Sequence, residues 1–225
     1  MASISARIRV EIAKRRVLTS LGYGRKDRPS PAISSLVDEY IKGANQLVEA
    51  RYLCCFEEIT AVEGLTSVIR ESVAFESEVV AGLLQRCSKV VVFLTTIGER
   101  LETKVRKLAG DGSMVHAYVL DAVGSTAVEH VADYMEKLAG EMAQADGLVA
   151  SRRLSPGHCG WNITQQKPLF KLARPDSIGV SLTELGLMVP RKSVSGIIGL
   201  GRPGAGVEAY DPCTDCTKCD CLGRR

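Results

Sequence analysis

The sequence has no long apolar run. Its longest, Val90 to Leu94, is far short of the ~20 residues a helix needs to cross a bilayer. The opening segment, MASISARIRVEIAKRRV, breaks every apolar stretch with charge, so it lacks the hydrophobic heart of a signal peptide and a cytoplasmic protein is expected. No block of one charge sign occurs either. Lys and Arg total 29 against 26 for Asp and Glu, spread along the chain without a stripe or tail, which argues against nucleic acid as a partner. Internal repeats and low-complexity blocks are absent, so repeat architectures are set aside. In a reducing compartment the eight cysteines read as buried thiols or metal ligands rather than a disulfide framework.

What is present is enough apolar material for a real core. At 225 residues and 45% hydrophobic, the chain can bury one large domain, and disorder is excluded. The spacing of Ile8, Ile12 and Leu18 among basic residues predicts a short amphipathic helix over 6–18, ending at Gly22 to Gly24. A second helix is expected through Ile33, Leu36, Val37, Tyr40, Ile41 and Leu47. Arg51 to Ile59 reads as a strand, on which Cys54 and Cys55 point to opposite faces and pack as small apolar residues. Ser77 opens a helix that leads into the β-branched strand Lys89 to Thr95, followed by a helix from Glu99 to Leu108.

The longest periodic stretch runs from Ser113 to Gln144, as one helix or as two broken near Gly124. Its apolar stripe is Met114, Tyr118, Val128, Val131, Met135, Leu138 and Met142. Asp121, Ser125, Glu129 and Asp133 recur every four residues and share one face, which reads most simply as solvated. Gly124 beside them lets another group approach closely. Leu182 to Pro190 and Ser193 to Leu200 read as two strands around a turn at Arg191-Lys192, and the chain beyond Gly201 as a loose tail. Helices and strands mix without regular alternation. The expected class is therefore α+β, with a mainly antiparallel bent sheet flanked by helices. The main domain is expected over 1–205, with the early helices of 1–50 packed on it, and a Cys-rich tail over 206–225.

Arg153-Leu-Ser-Pro-Gly157-His158 places an arginine before a stiff turn, since proline fixes one backbone angle and glycine frees the next. Such an arginine can pair bidentately with a carboxylate while turn amides and carbonyls read a purine edge; the alternative is a surface loop that happens to carry an arginine. Read together with Leu182-Thr-Glu184, Met188, Pro190 and Ser193-Val-Ser-Gly196, the segment closely resembles the activation domain of cobalamin-dependent methionine synthase, in the same order and at similar separations. Leu120-Asp121-Ala and Glu129 with Ala132, Asp133 and Tyr134 resemble the helix that precedes the motif there. The resemblance covers roughly 95–200.

It implies a stand-alone module that binds S-adenosylmethionine and docks on a cobalamin-binding methionine synthase or related corrinoid protein. With a low-potential electron donor, it would support reductive remethylation of cob(II)alamin. On this resemblance Arg153 would bind the methionine carboxylate, Ser155 and Gly157 would contact the adenosyl part, and Glu129 would face the ligand's cationic groups. His158 stands where the family often has tyrosine. Gly199 to Gly206 supplies no aromatic residue where the larger family members have a second tyrosine.

Cys213, Cys216, Cys219 and Cys221 put four thiols within nine residues, enough for zinc or an iron–sulfur cluster or simply a reduced tail. Cys159 beside His158 is a further candidate ligand. An iron–sulfur reductive activator of another corrinoid methyltransferase is the competing expectation, and a sensor of adenosyl ligands is a third.

Overall fold

The computed structural model describes residues 3–70 and 72–214. Among them, seven strands form one antiparallel sheet whose main path runs β4-β3-β2-β5-β9-β6. The strands are β1 (Ile4–Arg7), β2 (Arg51–Glu63), β3 (Thr66–Ile69), β4 (Val73–Glu76), β5 (Lys89–Thr96), β6 (Val149–Ala150) and β9 (Ser193–Gly201). Strands β7 (Ser181–Leu182) and β8 (Met188–Val189) pair separately. The helices are α1 (Lys14–Ser20), α2 (Pro31–Gly43), α3 (Glu78–Leu84), α4 (Arg100–Gly110), α5 (Met114–Ala145) and α6 (Gln166–Ala173). This is the expected α+β class, a curled antiparallel sheet flanked by helices. No helix among the described residues is long and apolar enough to cross a membrane.

Alternation along the central strands sorts side chains into two cores. Leu53, Cys55, Val90, Val92, Leu94 and Ile197 face α3 and α6. Tyr52, Cys54, Val91, Phe93, Ile198 and Leu200 face α4 and α5. A one-residue step on a strand reverses the face, so Cys54 and Cys55 fall into different layers, as their adjacency requires. A third layer, built from Val17, Leu18, Val37 and Ala44, packs α1 and α2 on the far side of α5. Serine hydroxyls accept from backbone N–H groups at two helix starts, Ser30 from Ile33 and Ser77 from Val80.

Burial raises the thiol pKa to about 11 for Cys54 and about 12 for Cys55 and Cys87, because a thiolate there would lose its hydration. These three thiols should therefore resist an alkylating reagent at pH 8 and react only after unfolding in urea. Peptide mass spectrometry would read this, and rapid native labelling of Cys55 would contradict the packing described.

Four expectations need correction. The first predicted helix begins late: Ile4–Arg7 is a strand paired with β2, and α1 starts only at Lys14. A sheet edge offers the chain backbone partners that helical spacing cannot reveal. Helix α5 is continuous, but its first turns do not carry the proposed stripe. Met114 and Tyr118 are 64% and 60% exposed, while Leu120, Val123 and Ala127 are buried. Residues 182–200 do not form a hairpin around Arg191-Lys192, since β8 pairs with β7 and β9 pairs with β5 and β6. Over the described residues beyond Gly201, up to 214, the chain still packs, with Val207 buried and Tyr210 against the α3 side. Gly124 does admit a close neighbour: a Cβ there would meet the Leu101 side chain of α4.

Candidate functional site

The segment after α5 is positioned by β9. Val149 and Ala150 pair with Gly201 and Leu200, and the Ser151 N–H donates to Gly199 O at 2.9 Å. Leu154 exchanges two backbone hydrogen bonds with Ile197, both 2.9 Å. Between Ser151 and Leu154 the register therefore slips by one residue, the effect of a β-bulge, and bulges re-aim side chains. Arg153 lies in that slip and turns toward α5. Gly196 opposite leaves room for the Leu154 carbonyl.

On α5 the acidic row receives it. Arg153 Nη2 donates to Glu129 Oε2 at 2.6 Å, and Nη1 lies 2.7 Å from Asp133 Oδ1 and 3.1 Å from Glu136 Oε2. The second oxygen of Asp133 accepts from Arg16 of α1 at 2.6 Å. The upper part of the row holds Lys192, whose Nζ lies 2.9 Å from Asp121 Oδ1 and 2.7 Å from Ser125 Oγ. The face expected to be merely solvated is thus an ion-paired seam joining α5 to the motif loop and to the turn that enters β9. Burial pulls the Asp133 carboxyl upward, but hydrogen bonds and charge from Arg153 and Arg16 outweigh it and hold it below its ordinary value.

The turn itself is largely closed on its own backbone. Gly157, at φ +91°, donates its N–H to Trp161 O at 2.7 Å, and the His158 N–H donates to Ser155 O at 3.1 Å. Only glycine adopts that φ without strain. Pro156 is buried, while Gly157 and His158 are exposed. Trp161 sits under the turn with its ring edge-to-face on Phe75, centroids 5.4 Å apart.

A cavity of about 300 Å³ opens here, on the scale of small-ligand pockets. Its wall includes Glu129, Arg153, Ser155 and His158, so four of the five ligand-site residues singled out from the sequence converge on it. Gly157 shapes the turn and does not line it. The Gln166 and Ser195 side chains, buried and 3.0 Å apart, add polar groups to the same wall.

Several lining or supporting residues escaped the sequence reading. Glu136 is on the Asp133 face three residues along, so its periodicity could have revealed it. Arg16 could not have been found this way, being 117 residues from its partner. Tyr210 supplies an aromatic wall four residues past the stretch where none was found. Its hydroxyl donates to Val79 O at 2.8 Å and the Arg86 guanidinium lies 5.3 Å from its ring centroid.

Of the proposed metal ligands, Cys213 lines the cavity, as does Cys159, whereas Cys216, Cys219 and Cys221 lie outside the described residues. Among the described residues no group of three or more His, Cys, Asp or Glu side chains could hold a metal ion.

No protein-family model matches the sequence, and no curated protein does. Among solved structures, the crystal structure of the MetH reactivation domain bound to AdoHcy superposes with a TM-score of 0.66, over 88% of this chain and 78% of that one, at 12% identity. At that identity the likeness establishes the fold, and this chain has the fold of that reactivation domain.

Proposed function

We propose that the chain is an S-adenosylmethionine-binding activation module, acting in trans on a cobalamin-carrying methionine synthase or a related corrinoid protein. In this reading it supports reductive remethylation of cob(II)alamin with electrons from a low-potential donor. What supports it is the convergence of Arg153, Ser155, His158 and Glu129 on one cavity, within a fold shared with a reactivation domain solved bound to AdoHcy.

The charge of the wall fits such a ligand. Arg152 and Arg153 line it together with Glu129 and Asp211, so it presents both signs of charge. S-adenosylmethionine carries a sulfonium, an ammonium and a carboxylate, so each sign on the wall has a group of the ligand to meet. The activated methyl group and the partner's cobalt supply the reaction chemistry. The chain's own residues bind and orient: Arg153 takes the ligand carboxylate, Glu129 faces its cationic groups, and Ser155 and His158 border the adenosyl part. No protein nucleophile is required.

Calorimetric titration of S-adenosylmethionine into the purified protein should give saturable one-site binding. Absence of heat at millimolar ligand would sink the proposal. With binding in hand, addition of the chain to an oxidised corrinoid methyltransferase plus reductant should restore its methylated spectrum.

The alternative reading is an iron–sulfur reductive activator of another corrinoid methyltransferase, with Cys213 of the cavity wall among its ligands. Visible absorption bands in anaerobically purified protein would support it, because only that reading requires a cluster.

A further inference from the structure

The cluster of three carboxylates around Arg153 poses a problem for that arginine. Arg153 is only 10% exposed, and both of its terminal nitrogens already bind carboxylates. To bind a ligand carboxylate it must loosen at least one of them, and each carboxylate left behind would lose its counter-charge. Of these three carboxylates, Asp133 alone has a second cation among the described residues, because Arg16 holds its Oδ2 while Arg153 holds its Oδ1.

We infer that Arg16 is a positioning residue for the adenosyl-ligand site: it keeps Asp133 compensated, so that Arg153 can turn from Asp133 to the ligand's carboxylate. The inference rests on the proposed function, and it assigns α1 a part in ligand recognition that nothing in its local sequence announces. Arg16 suits the role because it is itself 56% exposed and can stay on Asp133 without being displaced by a ligand in the cavity. Its loss should not undock α1. Val17 and Leu18 are buried in the helical layer, and Lys14 Nζ independently ties α1 to α2 through Ser34 Oγ at 2.8 Å and Asp38 Oδ2 at 2.6 Å.

The test compares two ligands that differ only in the carboxylate, S-adenosylmethionine and its decarboxylated analogue, by calorimetry on wild type, Arg16→Gln and Arg16→Lys. In wild type, S-adenosylmethionine should bind more tightly than the analogue. Arg16→Gln should reduce that preference by roughly fivefold, the scale of one partly exposed ion pair. Arg16→Lys should restore most of it, since Asp133 needs only a charge on that side. A merely structural role would lower both affinities together and leave their ratio unchanged, and that result would overturn the inference. So would a wild type that binds both ligands equally, which leaves the activation-module reading intact but removes Arg153 as the carboxylate reader. Failure of wild type to bind either ligand would defeat both proposals at once, an outcome distinct from the other two.

Discussion

Replacing Arg153 with alanine should weaken S-adenosylmethionine binding by roughly 10- to 100-fold, the loss expected for a charge-assisted bidentate contact. The same change should destabilise the fold by about 1–3 kcal/mol. Truncating one member of a buried charge cluster leaves the others uncompensated, but Glu129 and Asp133 are 51% and 39% exposed, so water recovers part of the cost. Arg153→Lys should retain most of the stability and still bind poorly, because an ammonium cannot present the planar fork. The two readouts, a thermal midpoint and a calorimetric Kd, therefore separate scaffold from recognition. If Arg153→Ala bound as well as wild type, the arginine would be purely a scaffold clamp.

The stability gap has a definite pH dependence. Asp133 has a folded pKa below its ordinary value, so its contribution is present above the unfolded carboxylate pKa. It is lost as pH falls through the folded value. Wild type and Arg153→Ala should accordingly converge in stability on acidification, and a gap that widened in acid would contradict the pairing.

The second large effect is expected at Gly196. A Cβ there would collide with the Leu154 carbonyl and stand 3.0 Å from two Phe93 ring atoms. Backbone cannot step aside as a side-chain end can, so Gly196→Ala should cost about 2–4 kcal/mol in chemical denaturation. Relief of the clash must push Leu154 off β9, which carries Arg153 with it, so ligand affinity should fall in the molecules that remain folded. Gly140→Ala is the natural control. Nothing lies within 4 Å of its added Cβ, and alanine in mid-helix should stabilise by up to about 1 kcal/mol. Wild-type stability in Gly196→Ala would mean the two motif segments do not approach as described.

That contact also shows why the two segments are informative together. Arg153 to Gly157 and Ser193 to Gly196 are some forty residues apart in sequence, yet Leu154 and Ile197 are hydrogen-bonded partners. Read alone, the first was a turn with an arginine and the second a strand. Their pairing makes one unit, in which the bulge aims Arg153 and the glycine makes the space.

The local patterns carried much of the fold. Strand β5 was legible in its β-branched run, α3 in its serine cap, and α5 in its length, because each reports a backbone preference or a periodic face. The failures share a cause. Ile4–Arg7 became a strand because β2 had a free edge beside it, and the hairpin expected around Arg191-Lys192 dissolved because β5 is the better partner for Ser193–Gly201. In both cases the deciding hydrogen bonds are made to residues distant in sequence.

By itself, then, the sequence determined the class of the fold, most of its helices and central strands, and four of the residues that gather at the cavity, Glu129, Arg153, Ser155 and His158. Composition and periodicity act over a few turns or a few strand residues, and a motif in order preserves its own chemistry. Only the tertiary structure decided how those residues are engaged: that Arg153 is clasped by three carboxylates, that Asp133 is shared with Arg16 of the first helix, and that Tyr210 closes the cavity wall. Charges interact through space and not along the chain, so their balance exists only once the layers are packed.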